Sequence, residues 1–161
     1  MSPPKTDSSK IIKLFLVAAT AVFYLAAIAA PDRADMISGL SALLMSPAQV
    51  TKDYFIVGSI SGSFLNMALT GTLCAALTFI PGCTAKGSTI AAFFLTMGFT
   101  TWGINILNMW FSILGVVVYG LVKKEKMGGL VNAMLFSTGI APLITDLLIR
   151  YPNVDYIGFN W

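Results

Sequence analysis

The chain has 161 residues, of which 57% are apolar and only 11% are charged, and its mean hydropathy is +0.81. These values are typical of a membrane protein and argue against an ordinary soluble domain. The net charge of +3 is too small and too scattered for a nucleic-acid-binding surface. Because histidine is absent and Cys74 and Cys83 lack the spacing of zinc ligands, we expect no metal and no cofactor.

The N-terminal residues 1–10 are polar and are predicted to form a disordered cytoplasmic tail. The apolar stretch that follows predicts a first membrane helix over about 11–30. A cleaved signal peptide is the alternative, because a basic stretch precedes the apolar run and small residues end it. The uncharged run from Leu14 to Ala30 has 17 residues, which is long for a signal peptide and favours a retained helix.

Three further segments follow in chain order. Residues of about 34–46 carry apolar side chains at helical spacing, which predicts an amphipathic helix at the membrane interface. The 27 uncharged residues at 54–80 predict one tilted membrane helix. The last apolar block predicts a segment over about 127–150. We assign residues 11–161 to a single membrane domain that is incomplete at its C-terminus.

The longest uncharged run, residues 87–122, cannot be a single membrane helix. Its 36 residues would form a helix about 54 Å long, against a hydrocarbon core of about 30 Å. A break near Gly103 divides it into segments of about 88–103 and 104–122. The sequence therefore predicts an all-α, multi-pass integral membrane bundle with a broken or re-entrant helix near Gly103.

The lysines predict the orientation of the bundle. Lysines concentrate on the cytoplasmic side of membrane proteins, so the basic N-terminus is predicted to be cytoplasmic in a bacterial inner membrane. If residues 87–122 crossed the membrane once, Lys86 and the basic cluster at 123–126 would lie on opposite sides. An even number of crossings or a re-entrant segment keeps both on the cytoplasmic side, and the lengths of the two parts favour the re-entrant segment.

Four polar residues are candidates for a solute path: Asn66, Asn105, Asn108 and Asp146. Non-helical backbone at membrane depth must be buried in protein or face a water-filled cavity. The spacing predicts that Asn105 and Asn108 share one face of the helix that follows the break. Since transporters build substrate sites at broken helices, we expect transport or channel-like passage of a small solute.

The alternative is a non-catalytic membrane subunit in which these polar residues only pack against partner helices. Small residues on membrane helices most often allow close helix contacts. On this basis Gly58, Gly62 and Gly115 are predicted to be packing residues. An enzyme is not expected, because no Ser/His or Cys/His set exists and neither Asp53 nor Asp146 lies in a Gly-x-Gly-Asp element.

Two stretches resemble the bacterial multi-pass membrane family called domain of unknown function 1576. They are "KDYFIVGSISGSFLNMALTGTL" and "GFTTWGINILNMWFSILGVVVYGLV", and the resemblance covers about residues 36–150. The matching positions are Asp53, Tyr54, Phe55, Gly58, Asn66, Gly98, Phe99, Asn105, Asn108, Ile113, Gly115 and Val116. Ile104 departs from the family, which often has lysine there, so the resemblance implies no charged role at this position.

The resemblance also implies that the chain is the N-terminal portion of a longer protein with two related halves. The expected partners are therefore the lipid bilayer, the C-terminal half or a second copy of the chain, and an unidentified small solute. No nucleic-acid partner is expected.

Overall fold

The computed structural model describes residues 5–46 and 53–142, with side chains from Ser8 onward. Every regular element in these ranges is helical. The α-helices are α1 (Lys5–Ala29), α2 (Met36–Met45), α3 (Tyr54–Val57), α4 (Ile60–Leu77), α5 (Gly87–Phe99), α6 (Met109–Lys123) and α7 (Met127–Ser137). Short 3-10 turns lie at Arg33–Asp35 and Thr138–Ile140.

Two described helical stretches, Ser8–Ala29 of α1 and Ile60–Leu77 of α4, are long and apolar enough to cross a membrane. This criterion uses length and composition alone, and the core helix of a soluble protein or a signal sequence also meets it. The structure thus supports an all-helical protein with two possible membrane spans.

Helix α4 lies at the centre of the bundle. Helices α1, α2 and α5 pack against it, and more than half of its residues are buried. The buried face of α4 is rich in small residues, which allow neighbouring helices to approach closely. These residues are Ser61, Gly62, Ser63, Ala68, Thr70, Gly71, Cys74 and Ala75. Small side chains therefore explain how one helix can accommodate three neighbours.

Helix α7 packs against both α5 and α6, and these helices meet α1 and α4 in one apolar core. Phe93, Met109 and Met134 are buried at this junction. The core therefore joins the first and second halves of the described chain.

The first helix begins earlier than predicted. The tail expected to be disordered through residue 10 is helical from Lys5, because α1 continues through the polar segment without interruption. The predicted interfacial helix at 34–46 corresponds to the 3-10 turn at Arg33–Asp35 and to α2. Gly39 and Leu43 of α2 are buried, which fixes this helix against the protein on one side.

The block at 54–80 is not the single helix that its composition predicts. It divides into α3 and α4 at Gly58 and Ser59, and α4 ends at Leu77. Ser59 has φ 66° and ψ 164°, a backbone conformation that costs a non-glycine residue free energy. The Ser59 hydroxyl accepts a hydrogen bond from Gly62 N at 3.1 Å, which caps α4 and offsets part of that cost. This break, residues 58–59, is called the first break below.

The run at 87–122 is broken, as predicted, but the break is longer. Helix α5 ends at Phe99 and α6 begins at Met109, so residues 100–108, the second break, are not α-helical. The predicted helix at 104–122 is therefore too long at its start. The prediction that Asn105 and Asn108 share one face of this helix is wrong, because Asn105 precedes α6 and Asn108 is its N-cap residue.

Charge is distributed unequally between the two ends of the bundle. Helix α5 begins where α6 ends, because Gly128 at the start of α7 packs against the backbone of residues 81–83. Lys13 also reaches this end, where its Nζ donates to Cys83 O at 3.0 Å. Six lysines thus gather at this basic end, and they are Lys10, Lys13, Lys86, Lys123, Lys124 and Lys126. The two breaks lie toward the opposite end.

Candidate functional site at the paired helix breaks

The side chain of Asn66 connects α4 to the second break. Its Nδ2 donates to Thr100 O at 3.3 Å and to Ile104 O at 2.9 Å. Its Oδ1 accepts from Ile106 N at 3.3 Å. Asn66 is completely buried, so its amide provides the hydrogen bonds that a helix would otherwise provide to these backbone groups.

Asn105 and Asn108 stabilise the break from within. The Oδ1 atom of Asn105 accepts from the backbone N–H groups of Leu107 and Asn108, both at 2.9 Å. Asn108 in turn accepts from Asn105 N at 2.9 Å and donates to Gly103 O at 2.7 Å. These bonds make Asn105 the side-chain cap of the chain entering α6. The two asparagines therefore bond to backbone groups of the break.

Gly103 explains where the chain turns. Its φ of 116° lies in a region that side chains rarely allow, and a hydrogen bond from Ile104 N to Phe99 O closes the end of α5. Ile104 then points inward and is completely buried in the core. The apolar residue at this position is thus explained by burial.

Helix α3, which leads into the first break, contacts the second break. The backbone N–H of Tyr54, at the start of α3, donates to Thr101 O at 3.0 Å. The Tyr54 ring is fully buried and its hydroxyl lies close to the Asn105 side chain. The geometry there is not that of a hydrogen bond, so this hydroxyl has no partner among the described residues. An unpaired buried hydroxyl is costly and marks this point as unusual.

Asp32 fixes the start of α4 on the other side of the first break. Its carboxylate accepts from Ile60 N at 2.6 Å and from Ser61 N at 3.0 Å. Ser61 Oγ donates to the backbone O of Asp32 at 2.9 Å. A carboxylate at a helix N-terminus is stabilised by the unpaired N–H groups there. Partial desolvation raises the pKa of Asp32, but hydrogen bonds from Ile60 and Ser61 outweigh it, so the pKa is lowered.

A comparison with protein families matches residues 32–158 to a family described as a protein of unknown function, DUF1576. The chain belongs to the DUF1576 family. The matched region begins at Asp32 and contains both breaks, whereas α1 precedes it. No curated protein and no solved structure gives a significant match.

In this DUF1576 chain, three of the four predicted path residues come together. Asn66, Asn105 and Asn108 all bond to the second break, and Asp146 lies outside the described residues. Whether they line a solute path stays a prediction. The sequence did not indicate Asp32, because 28 residues separate it from Ile60 and no local motif connects them.

The predicted packing glycines of the DUF1576 chain differ in their surroundings. Gly62 lies against the backbone of Gly39 in α2, and a Cβ atom on Gly62 would approach Gly39 C to 2.7 Å. Gly58 contacts Leu43 of the same helix. At Gly115 a Cβ atom would meet no described atom within 4 Å, so the structure places no close helix contact there.

The cap that Asp32 provides in this family member should make stability depend on pH. Its pKa in the folded state lies below the ordinary value of 3.8, so the ionised carboxylate stabilises the fold above that value. This contribution is lost as the pH falls through 3.8 toward the folded-state pKa. We expect Asp32→Asn to lower the Tm at neutral pH, and the difference from wild type to shrink in acid.

Thermal unfolding of the detergent-solubilised protein between about pH 3 and pH 7 measures this effect. Asp35→Asn is the matched control, because the Asp35 side chain makes no capping hydrogen bond in the described structure. Equal effects of the two substitutions at every pH would contradict a specific role of Asp32.

Proposed function

We propose that the chain is a multi-pass membrane protein of the bacterial inner membrane and that its paired breaks lie on the route of a small solute. The observation that carries the proposal is the contact of α3, which leads into the first break, with the second break, beside the unpartnered Tyr54 hydroxyl. Discontinuous helices that meet inside a bundle are how many transporters form a substrate site.

Helix lengths support a re-entrant arrangement of α5 and α6. With 13 and 15 residues, they are about 20 and 22 Å long, shorter than a hydrocarbon core of about 30 Å. Both helices also have their outer ends among the lysines of the basic end. In the proposed orientation this end is cytoplasmic, together with the N-terminus, and the second break lies inside the membrane.

In this proposal Asn66, Asn105 and Asn108 stabilise the backbone beside the route and do not bind the solute. Their bonds to backbone groups keep residues 100–108 out of helical geometry without leaving these groups unpaired in lipid. The Tyr54 hydroxyl, one of three buried hydroxyls without a partner among the described residues, is the proposed contact for a solute when the route opens. Asp146 stays a candidate for a proton or cation contact.

A non-catalytic membrane subunit is the second candidate function. It is favoured by the hydrogen bonds that Asn66 and Asn108 form with backbone groups, which is what a purely structural role requires. The exposed apolar residues of α6 could then face lipid, the C-terminal half or a second copy. They include Trp110, Phe111, Leu114, Val118, Leu121 and Val122. We assign no catalytic activity in either case.

Thiol labelling distinguishes the two candidates. Thr101 is suitable because it lies in the second break and its hydroxyl bonds only within its own turn, to Gly98 O. In a chain with Cys74 and Cys83 replaced by alanine, a membrane-impermeant thiol reagent is applied to either side of sealed vesicles. If the breaks form a route, Thr101→Cys should react from both sides, because an alternating route opens each way in turn.

Leu114→Cys is the control, since Leu114 lies on the exposed apolar face of α6 and should react from neither side. Reaction of Thr101→Cys from one side only, or from neither, would favour the non-catalytic subunit. A topology reporter inserted after Lys126 tests the orientation separately. A reporter on the opposite side from the N-terminus would exclude the re-entrant arrangement.

A further inference from the structure

A cavity of about 230 Å³ opens at the basic end, away from the paired breaks. One wall is the loop between α4 and α5, with Gly82, Cys83, Thr84 and Lys86. The opposite wall is the start of α7, where Gly128 and Gly129 have no side chains and Asn132 lies one turn further on. The solute route proposed above makes no use of this cavity.

Contacts from two helices, α7 and α1, hold the walls of the cavity in place. Gly128 lies directly against the backbone of Gly82 and Cys83, so the loop and α7 are in close contact. From α1, Lys13 Nζ donates to Cys83 O at 3.0 Å, and Ser9 Oγ accepts from Ala85 N at 2.9 Å. The positions of the residues that line the cavity are therefore fixed by contacts between separate parts of the fold.

The surroundings of the cavity carry a large excess of positive charge. The six lysines of the basic end are accompanied by two acidic residues, Asp7 of α1 and Glu125. No lysine of this end forms an ion pair with another described residue. Burial raises the pKa of the Cys83 thiol, and nearby Lys13 offsets part of that rise, so the thiol adds no negative charge at neutral pH.

We propose that this cavity binds a phosphate group, supplied either by an anionic lipid headgroup or by a free phosphate compound. Lys86 provides the charge, and the hydroxyl of Thr84 and the amide of Asn132 provide hydrogen bonds to phosphate oxygens. One N–H of Asn132 is used by Ser88 Oγ at 3.0 Å, which leaves the second for a ligand. The proposal is independent of solute transport, since it concerns the opposite end of the bundle.

The test uses the full chain in nanodiscs. Inorganic phosphate is titrated into protein in pure phosphatidylcholine, and its affinity is compared with that of chloride at equal ionic strength. In a second arm, phosphatidylglycerol is mixed with phosphatidylcholine and retention of each lipid is measured by native mass spectrometry. Saturable phosphate binding identifies a free-phosphate site, and selective retention of phosphatidylglycerol identifies a headgroup site. Either result supports the proposal.

Two variants connect the binding to this cavity. Lys86→Gln combined with Lys126→Gln should weaken binding about 30-fold, because each lysine near an anionic headgroup adds appreciably to affinity. Arg33→Gln, which removes a cation from the opposite end, is the control and should leave binding unchanged. Gly129→Val narrows the cavity without changing its charge, and no described atom opposes the first added carbon. It should also weaken binding.

Three results would overturn the proposal. The first is that neither phosphate nor phosphatidylglycerol binds better than its control. The second is that Arg33→Gln weakens binding as much as the double lysine variant, which would indicate attraction by net charge. The third is unchanged binding by Gly129→Val with circular dichroism like that of wild type, which would place the ligand outside the cavity.

Discussion

Asn66→Ala is expected to destabilise the protein by about 3 kcal/mol or more, since each buried backbone group left without a partner costs about 1–3 kcal/mol. The substitution removes the partners of Thr100 O, Ile104 O and Ile106 N together. All three belong to the second break, where no helical hydrogen bond can replace those of the side chain. The break should therefore be the first part of the fold to open.

Chemical or thermal unfolding in detergent measures the loss, and hydrogen exchange at residues 100–108 locates it. Asn132→Ala is the matched control, because Asn132 is half-buried on α7 and bonds to the exposed Ser88. We expect that control to change the free energy of unfolding by less than about 0.5 kcal/mol. If Asn66→Ala had an equally small effect, the break would not depend on this amide.

The size of the effect also bears on the proposed route. Water that reaches the break could take over the hydrogen bonds of the missing amide and reduce the loss. A loss well below about 3 kcal/mol, combined with faster hydrogen exchange at residues 100–108, would therefore support a hydrated break. A loss of the full size would indicate that water does not replace these three bonds, and thiol labelling at Thr101 would then decide whether the neighbouring part of the break is reached by water.

Gly62→Ala and Gly115→Ala are expected to change stability in opposite directions, although both replace a glycine within an apolar helix. Alanine favours a helix over glycine by about 1 kcal/mol. At Gly115 no described atom opposes the new methyl group, so the variant should be more stable by up to that amount. At Gly62 the methyl group would press on the backbone of Gly39 and Leu40, which cannot move away easily.

Overpacking of this kind costs about 1–3 kcal/mol, and the helix preference of alanine is common to both sites, so Gly62→Ala should be about 1–3 kcal/mol less stable than Gly115→Ala. Parallel unfolding measurements of the two variants and wild type test the difference. Equal stabilities would mean that α2 does not pack against α4 as described. A destabilising Gly115→Ala would instead show that a partner absent from the described chain covers α6.

The break near Gly103 was predicted from the sequence, but the residue at which the next helix begins was not. The length of the uncharged run and the lysines at its two ends are local quantities, and they predicted that the helix must break. They placed the second helix at residue 104, whereas α6 begins at Met109. Asn105 and Asn108 do not lie within the helix as predicted. Asn105 Oδ1 instead accepts hydrogen bonds from Leu107 N and Asn108 N, which keeps these residues out of the helix, so α6 begins only at Met109.

The first break was not predictable in the same way. The sequence of the 54–80 block fits one continuous apolar helix, and nothing in its composition requires Ser59 to adopt a positive φ. The division depends on α2, whose Gly39 lies against Gly58 and Ser59. A contact between separate helices therefore decides the local conformation.

The sequence by itself determined the helical class, the family, the need for a break in the longest apolar run and the grouping of lysines beside helix ends. The family follows from the resemblance of two stretches; the other features follow from composition, periodicity and length, which act within one segment. Only the tertiary structure decided that Asn66 bonds the second break, that Asp32 caps α4 and that α3 contacts the second break. Each of these is a hydrogen bond between residues 28 to 47 positions apart, and such bonds depend on how helices pack.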